Sequence, residues 1–137
     1  MSRLQLALDV DDLEKSVAFY STLFGVAPTK TRPGYANFAI EDPALKLVLI
    51  ENAGHGGRLN HLGVEVADTD EVNRFQQRLA DAGLGSSDER DTTCCYARQD
   101  KFWVGGAPNG EQWEVYAVLA DADTMTSDAD AGTACCA

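Results

Sequence analysis

The chain reads QLALDV at residues 5–10 and HLGVEV at residues 61–66, so the same alternation of apolar and polar side chains returns after 56 residues. Such alternation is typical of a half-buried β-strand. The offset continues into the segment after each strand, where it aligns Asp12 with Asp68, Phe19 with Phe75 and Leu23 with Leu79. We therefore interpret the chain as a tandem repeat, whose register places Gln5 opposite His61 at the first position of two related strands.

Each half of the repeat predicts the element order βαβββ. In the first half we expect a strand over 3–10, a helix capped by Asp11 or Asp12 and ended by Gly25, and strands over 29–32, 36–40 and 45–50. In the second half we expect a strand over 59–66, a helix over 69–82 ended by Gly83, and strands over 93–98, 102–105 and 112–118. The pattern predicts an α+β fold in which two tandem βαβββ modules form a curved mixed sheet around a central cleft.

The length of 137 residues and the hydrophobic content of 45% are sufficient for one domain with one core. We expect that domain to span 1–120, with module one at 1–53 and module two at 58–120. Residues 121–137 contain mainly Asp, Thr, Ser, Ala and Gly without apolar periodicity, which predicts a flexible acidic tail.

The net charge of −11 argues against nucleic acid and anionic membranes as partners, because both favour clustered Lys and Arg. No apolar run approaches the roughly 20 residues of a spanning helix, and the N-terminus leads into a strand, so we expect a cytoplasmic protein. The four cysteines form two adjacent pairs, Cys94-Cys95 and Cys135-Cys136. Because neighbouring cysteines close only a strained ring, we expect reduced thiols.

A second internal alignment, of Pro43 with Pro108, pairs Leu49 with Glu114 on the two closing strands. Of the four related positions, only Gln5, His61 and Glu114 carry lone pairs that could bind a metal. Three protein ligands leave a position open for water, substrate or dioxygen, as in catalytic metal sites. The alternatives are that His61 only satisfies hydrogen bonds and that Gln5 lies at the surface. An unpaired Glu114 in an apolar strand would be costly, so we expect a cationic partner for it.

The paired βαβββ halves, with candidate ligands on the first strand of each half and on the last strand, resemble the vicinal oxygen chelate superfamily. The resemblance covers residues 3 to about 119. Extradiol dioxygenases of that superfamily hold ferrous iron with two His and one Glu. Carried over by position, the resemblance implies Gln5, His61 and Glu114, and Gln5 departs from the His of that pattern, which affects metal affinity and identity.

The adjacent thiols of Cys94 and Cys95 can bind one thiophilic centre only if the backbone bends there, because a regular strand would direct them to opposite faces. The alternative is that one is a small buried hydrophobe and the other an exposed passenger.

The stretches RPGYANF at residues 32–38, LNHLGVEV at 59–66 and TTCC at 92–95 make the chain similar to the ArsI-type carbon-arsenic lyases and the related cadmium-induced proteins. The resemblance implies an Fe(II)-dependent enzyme with dioxygen as co-substrate, which converts trivalent methyl- or aryl-arsenicals to arsenite. It implies that Gln5, His61 and Glu114 are the catalytic metal ligands. Cys94 and Cys95 would hold the arsenic and face the metal across a few ångströms of cleft.

Several alternatives stay open from the sequence. The protein could sequester cadmium or arsenic through its thiols without turnover, or it could be a glyoxalase-like isomerase or thiol transferase. Cys135 and Cys136 could deliver arsenic to the inner pair or belong to a dispensable tail. Lys101 could orient a polar substituent, although a solvated turn lysine is the commoner case. The modules could pair within one chain or across a homodimer.

Overall fold

The structure is a computed structural model that describes residues 2–125, and this range contains eight strands and two helices. The elements of the first half are β1 (Arg3–Val10), α1 (Leu13–Phe24), β2 (Lys30–Arg32), β3 (Tyr35–Ile40) and β4 (Leu45–Glu51). Those of the second half are β5 (Leu59–Glu65), α2 (Thr69–Asp81), β6 (Ser86–Cys94), β7 (Ala97–Val104) and β8 (Trp113–Asp121). The predicted α+β class and the two tandem βαβββ modules are confirmed. No helix in the described range is long and apolar enough to span a membrane.

The described residues group into two compact units, Arg3–Leu62 in one and residues 63–125 together with Ser2 in the other. The boundary falls inside β5, so this strand starts in the first unit and ends in the second. The domain limits that we expect from the sequence, 1–53 and 58–120 within 1–120, stay predictions.

The first unit has the strand order β2-β3-β4-β1-β5, with β1 parallel to β4 and β3 antiparallel to β4. Helix α1 begins after Asp12, whose side chain accepts a hydrogen bond from the Lys15 backbone N–H, and ends at Gly25 in the left-handed conformation. The helix covers one face of the sheet, where Phe38, Leu47 and Leu49 are buried beside Val17, Tyr20 and Phe24. Because side chains alternate along a strand, the opposite face of β1 presents Gln5, Ala7 and Asp9.

The second unit has the strand order β5-β8-β7-β6, and the pairs β7 with β8 and β6 with β7 are antiparallel. Helix α2 is capped by Asp68, which accepts a hydrogen bond from the Glu71 backbone N–H. Its buried Val72 and Leu79 pack on a core completed by Val66, Phe102, Val115 and Ala117. The face opposite this core therefore presents Lys101, Trp103, Glu114 and Tyr116.

The two modules share an aspartate as the N-cap of the helix but not their packing. In α1, Phe19 and Leu23 are 61% and 58% exposed, whereas the aligned Leu79 of α2 is only 8% exposed. The predicted alignment of Leu49 with Glu114 is wrong by one residue, because Leu49 packs in the core under α1 and Glu114 lies on the face away from α2. On the face of β4 that lies away from α1, the residues on either side of Leu49 are Val48 and Ile50. Neither side chain can bind a metal, so this position still supplies no ligand.

The largest departure from the predicted elements lies around residues 93–98, which we expected to form a strand. Instead, β6 ends at Cys94, β7 begins at Ala97, and the two residues between them form a turn. β8 continues to Asp121, one residue beyond the expected end of the domain. The Ala122 backbone N–H then donates to the Tyr96 carbonyl, and that of Cys95 to the Met125 carbonyl. Cys135 and Cys136 lie outside the described residues.

Candidate functional site

Gln5 and His61 meet within the first unit, as the register of the repeat predicts. Their Nε2 atoms are 3.1 Å apart, and the two side chains are 5% and 1% exposed. Both side chains come from the strand face that lies away from α1. Two of the three candidate ligands therefore lie together as predicted, and the alternative of a surface Gln5 is wrong.

Two further polar side chains stand behind His61. Nδ1 of His61 lies 2.7 Å from Oδ1 of Asn60, and Nδ2 of Asn60 donates to Oδ1 of Asp9 at 3.0 Å. Asp9 is itself buried. The imidazole is thus held on both nitrogens, by Asn60 on one side and by Gln5 on the other. A partner on the remote nitrogen is usual for metal-binding histidines, because it orients the ring and fixes its tautomer.

Glu114 belongs to the second unit, where it is paired with Lys101. Nζ of Lys101 lies 2.9 Å from Oε1 of Glu114, and the two side chains are 0% and 3% exposed. The ammonium group also lies 5.5 Å from the centre of the Trp103 ring and 5.9 Å from that of Tyr116. The expectation that a cation meets Glu114 is confirmed, but this cation is Lys101. The expectation of a solvated Lys101 is wrong.

The donor chemistry of the three predicted ligands fits a divalent transition metal. An imidazole nitrogen suits iron, and carboxylate and carbonyl oxygens are harder donors that bind the same ions less selectively. Within residues 2–125, no three His, Cys, Asp or Glu side chains come together in a way that could hold a metal ion. Gln5 and His61 lie in one unit and Glu114 in the other, so the convergence of all three on one ion stays a prediction.

Cys94 and Cys95 lie where β6 turns into β7, and their Sγ atoms are 3.5 Å apart. This separation exceeds a disulfide bond of about 2.05 Å, so the two sulfurs are not bonded to each other. Neither is a free thiol in the structure, however. The expectation of reduced cysteines is therefore wrong for this state of the chain, and any chemistry of the thiolates needs prior reduction.

The backbone does bend at the cysteine pair, which is the condition for both sulfurs to bind one centre, and the bend has a defined cause. Cys95 and Tyr96 have φ angles of 54° and 61°, and Cys94 pairs with Ala97, so the two central residues of a tight hairpin are both left-handed. Two-residue hairpins of this kind normally use Asn-Gly or Asp-Gly, because side chains with a Cβ are disfavoured at positive φ. The turn places both sulfurs at one side of the hairpin tip, against the alternation of a regular strand.

The structure does not bring this pair to Glu114 across a few ångströms. Cys94 is opposite Ala97, and Glu114 is opposite Trp103 on the same strand β7. The two positions are therefore about 20 Å apart along that strand, at roughly 3.4 Å per residue.

Two irregularities separate the hairpin tip from the rest of the second unit. The register of β6 shifts between Glu89 and Thr92, and that of β7 shifts against β8 between Arg98 and Gln99. Asp100 closes the first shift: its carboxylate accepts hydrogen bonds from the Thr69 hydroxyl and the Asp91 backbone N–H. The Thr69 hydrogen bond is the main cause that lowers the pKa of Asp100, with further contributions from Asp91 and from two nearby arginines.

A family comparison identifies the chain's superfamily. Residues 3–115 match the model of the Glyoxalase/Bleomycin resistance protein/Dioxygenase superfamily. The chain belongs to this superfamily. The family resemblance that we drew from the paired βαβββ halves is thus confirmed over most of the described residues.

Two relatives of this superfamily member cover nearly its whole length. It is 60% identical over 137 residues to the trivalent organoarsenical cleaving enzyme of Thermomonospora curvata, covering 99% of this chain and 89% of the relative. It is 57% identical over 143 residues to the cadmium-induced protein CadI of Mycobacterium tuberculosis, covering 98% of this chain and 93% of the relative.

A solved structure supports the fold assignment of the superfamily member. The Mn(II)-bound glyoxalase from Novosphingobium aromaticivorans matches it with a TM-score of 0.61 and 19% identity, covering 89% of this chain and 42% of that one. At this identity the match concerns the fold alone.

The sequence did not predict that Asp9 and Asn60 support His61, or that Lys101 is buried beside Glu114. A usable signal was present for Asp9, which interrupts an apolar strand on the same face as Gln5. Asn60 directly precedes His61, so its side chain would be assigned to the other face by simple alternation. Charged residues such as Lys101 are exposed in most contexts, and only the neighbouring strand reveals its partner.

Proposed function

We propose that the protein is a lyase that cleaves the carbon-arsenic bond of trivalent organoarsenicals, such as methylarsenite, and releases arsenite. The resident metal is ferrous iron, and dioxygen is the co-substrate. The observation that carries this proposal is the 60% identity, over 99% of the chain, with a relative named a trivalent organoarsenical cleaving enzyme. The substrate is a small molecule, and a homodimer stays a prediction.

The geometry of the cysteine pair supports the binding of arsenic. Two thiolates on one thiophilic centre, each at about the 2.3 Å of a zinc-thiolate bond and at roughly a right angle, would be about 3.3 Å apart. The 3.5 Å between the sulfurs of Cys94 and Cys95 is close to this value. After reduction, the pair could bind trivalent arsenic with little rearrangement and leave its organic group directed away from the hairpin. Such orientation raises the rate of the following step.

Gln5, His61 and Glu114 would hold the iron. When bound, ferrous iron would supply the centre at which dioxygen becomes an oxidant. The surrounding residues prepare the ligands. Asn60 holds the imidazole of His61 in one orientation, and Lys101 holds the carboxylate of Glu114 in place through a hydrogen bond. The cysteine pair lies about 20 Å from Glu114 along β7, so the proposed reaction requires the arsenic-bearing hairpin tip and Glu114 to come together during turnover.

The decisive experiment incubates reduced, iron(II)-loaded protein with methylarsenite in air and measures arsenite and the oxidised carbon fragment by mass. We expect both products in air and neither without dioxygen. Equal release of arsenite with and without dioxygen would contradict the proposed reaction.

A second candidate function is sequestration of cadmium or arsenic without turnover. It is favoured by the 57% identity with a protein named for its induction by cadmium. This function would need the cysteine pair and not the three metal ligands. The two candidates therefore differ in which substitutions abolish them.

A further inference from the structure

Four buried or partly buried side chains of the first unit form one continuous chain of hydrogen bonds. Asp9 Oδ1 accepts from Asn60 Nδ2 at 3.0 Å, Asn60 Oδ1 lies 2.7 Å from His61 Nδ1, and Gln5 Nε2 lies 3.1 Å from His61 Nε2. Asp9 is 7% exposed and His61 1% exposed, so water competes weakly for these bonds. The backbone supports the arrangement, because the Asp9 N–H donates to the carbonyl of Arg58, two residues before Asn60.

The carboxylate at one end sets the direction of every bond in this chain. The carboxylate oxygen of Asp9 accepts its hydrogen bond from Asn60, so the amide nitrogen of Asn60 faces Asp9. The amide oxygen of Asn60 then faces His61, and an oxygen acceptor requires the proton on Nδ1. The neutral imidazole consequently keeps its lone pair on Nε2, which fits the donor from Gln5. The opposite tautomer would place two acceptors, Asn60 Oδ1 and His61 Nδ1, at 2.7 Å from each other.

We propose that Asn60, oriented by Asp9, is a positioning residue that fixes His61 in the Nδ1–H tautomer and so presents Nε2 as the ligating atom. The relevance for iron rests on the proposed function, whereas the tautomer itself does not. A histidine whose remote nitrogen lacks such a partner divides its population between tautomers and ring orientations. Partners of this kind typically contribute about 10- to 100-fold to metal affinity.

The test records the imidazole nitrogen signals of ¹⁵N-labelled, metal-free protein in mildly alkaline buffer. The chain has two histidines, and the exposed His55 serves as the internal reference for a ring without this fixed partner. We expect His61 to be a single Nδ1–H tautomer in the parent protein. In Asn60→Leu we expect a substantial Nε2–H population for His61 and an unchanged His55. A His61 that is Nε2–H in the parent, or that stays purely Nδ1–H in Asn60→Leu, would overturn the proposal.

A matched variant separates positioning from general damage. The double substitution Asp9→Asn, Asn60→Asp exchanges the two functional groups, keeps the net charge and still offers an acceptor to Nδ1. We expect it to restore the Nδ1–H tautomer, while Asp9→Asn alone removes the directional constraint. Failure of the exchange to restore the tautomer in folded protein would count against the proposal.

Binding of cobalt(II), an air-stable substitute for ferrous iron, provides the second readout. We expect about 10- to 100-fold weaker binding in Asn60→Leu and nearly parental binding in the exchanged double variant. If the parent protein binds no cobalt(II), the ligand role of His61 in the proposed function is wrong. The tautomer of His61 is tested separately, by the nitrogen signals of the metal-free protein. Equal cobalt(II) affinity in the parent and in a mixed-tautomer Asn60→Leu would overturn the positioning role.

Discussion

Lys101 and Glu114 form an ion pair that is almost completely removed from water. Removing two charges from water costs several kcal/mol for each ion, and their mutual attraction offsets this only when both are present in good geometry. The Trp103 and Tyr116 rings near the ammonium group add attraction without adding charge. The carboxylate predicted to bind metal is therefore already paired with a buried cation of the same unit.

This pairing predicts strong non-additivity in stability. Lys101→Met should lower the free energy of unfolding by about 3–5 kcal/mol, because it leaves a buried carboxylate without its ammonium partner. Glu114→Leu should lower the free energy of unfolding by a similar amount, because it leaves the buried ammonium group of Lys101 without its carboxylate partner. The double variant, which removes both charges, should lose much less than the sum of the two. Urea unfolding of the four proteins measures the coupling, and additive losses would show that the pair contributes no mutual stabilisation.

At the scale of elements, the β6–β7 hairpin combines a strained turn with a bulge that Asp100 holds closed. Asp91 in the bulge has a φ of 49°, and its backbone N–H donates to Asp100 at 2.7 Å. The other carboxylate oxygen accepts from Thr69 at the start of α2, which links the helix to the hairpin. The stability of this hairpin therefore depends on the charge of one aspartate.

The lowered pKa of Asp100 predicts the pH dependence of this contribution. Because the folded pKa is below the unfolded value of about 3.9, the stabilisation is fully present above that value and is lost as the pH falls through the folded pKa. Asp100→Asn should therefore lower the melting temperature at neutral pH, and the difference from the parent should shrink in acid. Thermal melts at a series of pH values measure this.

Thr69→Val is the matched control for Asp100→Asn, since it removes the hydroxyl that contributes most to the lowered pKa of Asp100. It should weaken the pH dependence while leaving the carboxylate in place. A melting difference between Asp100→Asn and the parent that is constant from neutral to acidic pH would contradict this role of the carboxylate.

At the scale of the whole molecule, the repeated strand pattern was sufficient to predict the two βαβββ modules and the meeting of Gln5 with His61. Both follow from local periodicity, which a sequence records directly. The hairpin at Cys95-Tyr96 could not be predicted, because its left-handed residues lack the Asn or Gly that normally marks such a turn. The position of Leu49 was misjudged by one residue, because a single proline pair does not fix which face of a strand is buried. Lys101 was misjudged because its partner lies on a different strand.

The separation of the cysteine pair from Glu114 along β7 yields a last prediction, which distinguishes the two candidate functions. Cys94→Ser should abolish tight binding of methylarsenite, because a single thiolate loses the chelate, and should leave cobalt(II) binding unchanged. Glu114→Gln, which retains the size of the side chain, should leave arsenic binding unchanged and abolish arsenite release in air. Bound arsenic and cobalt are measured by mass spectrometry after gel filtration of reduced protein. A lyase requires both residues for tolerance of methylarsenite in cells, whereas a sequestering protein requires only the cysteine. Cells with Glu114→Gln that tolerate methylarsenite as well as the parent would therefore exclude the lyase as the protective activity and favour sequestration.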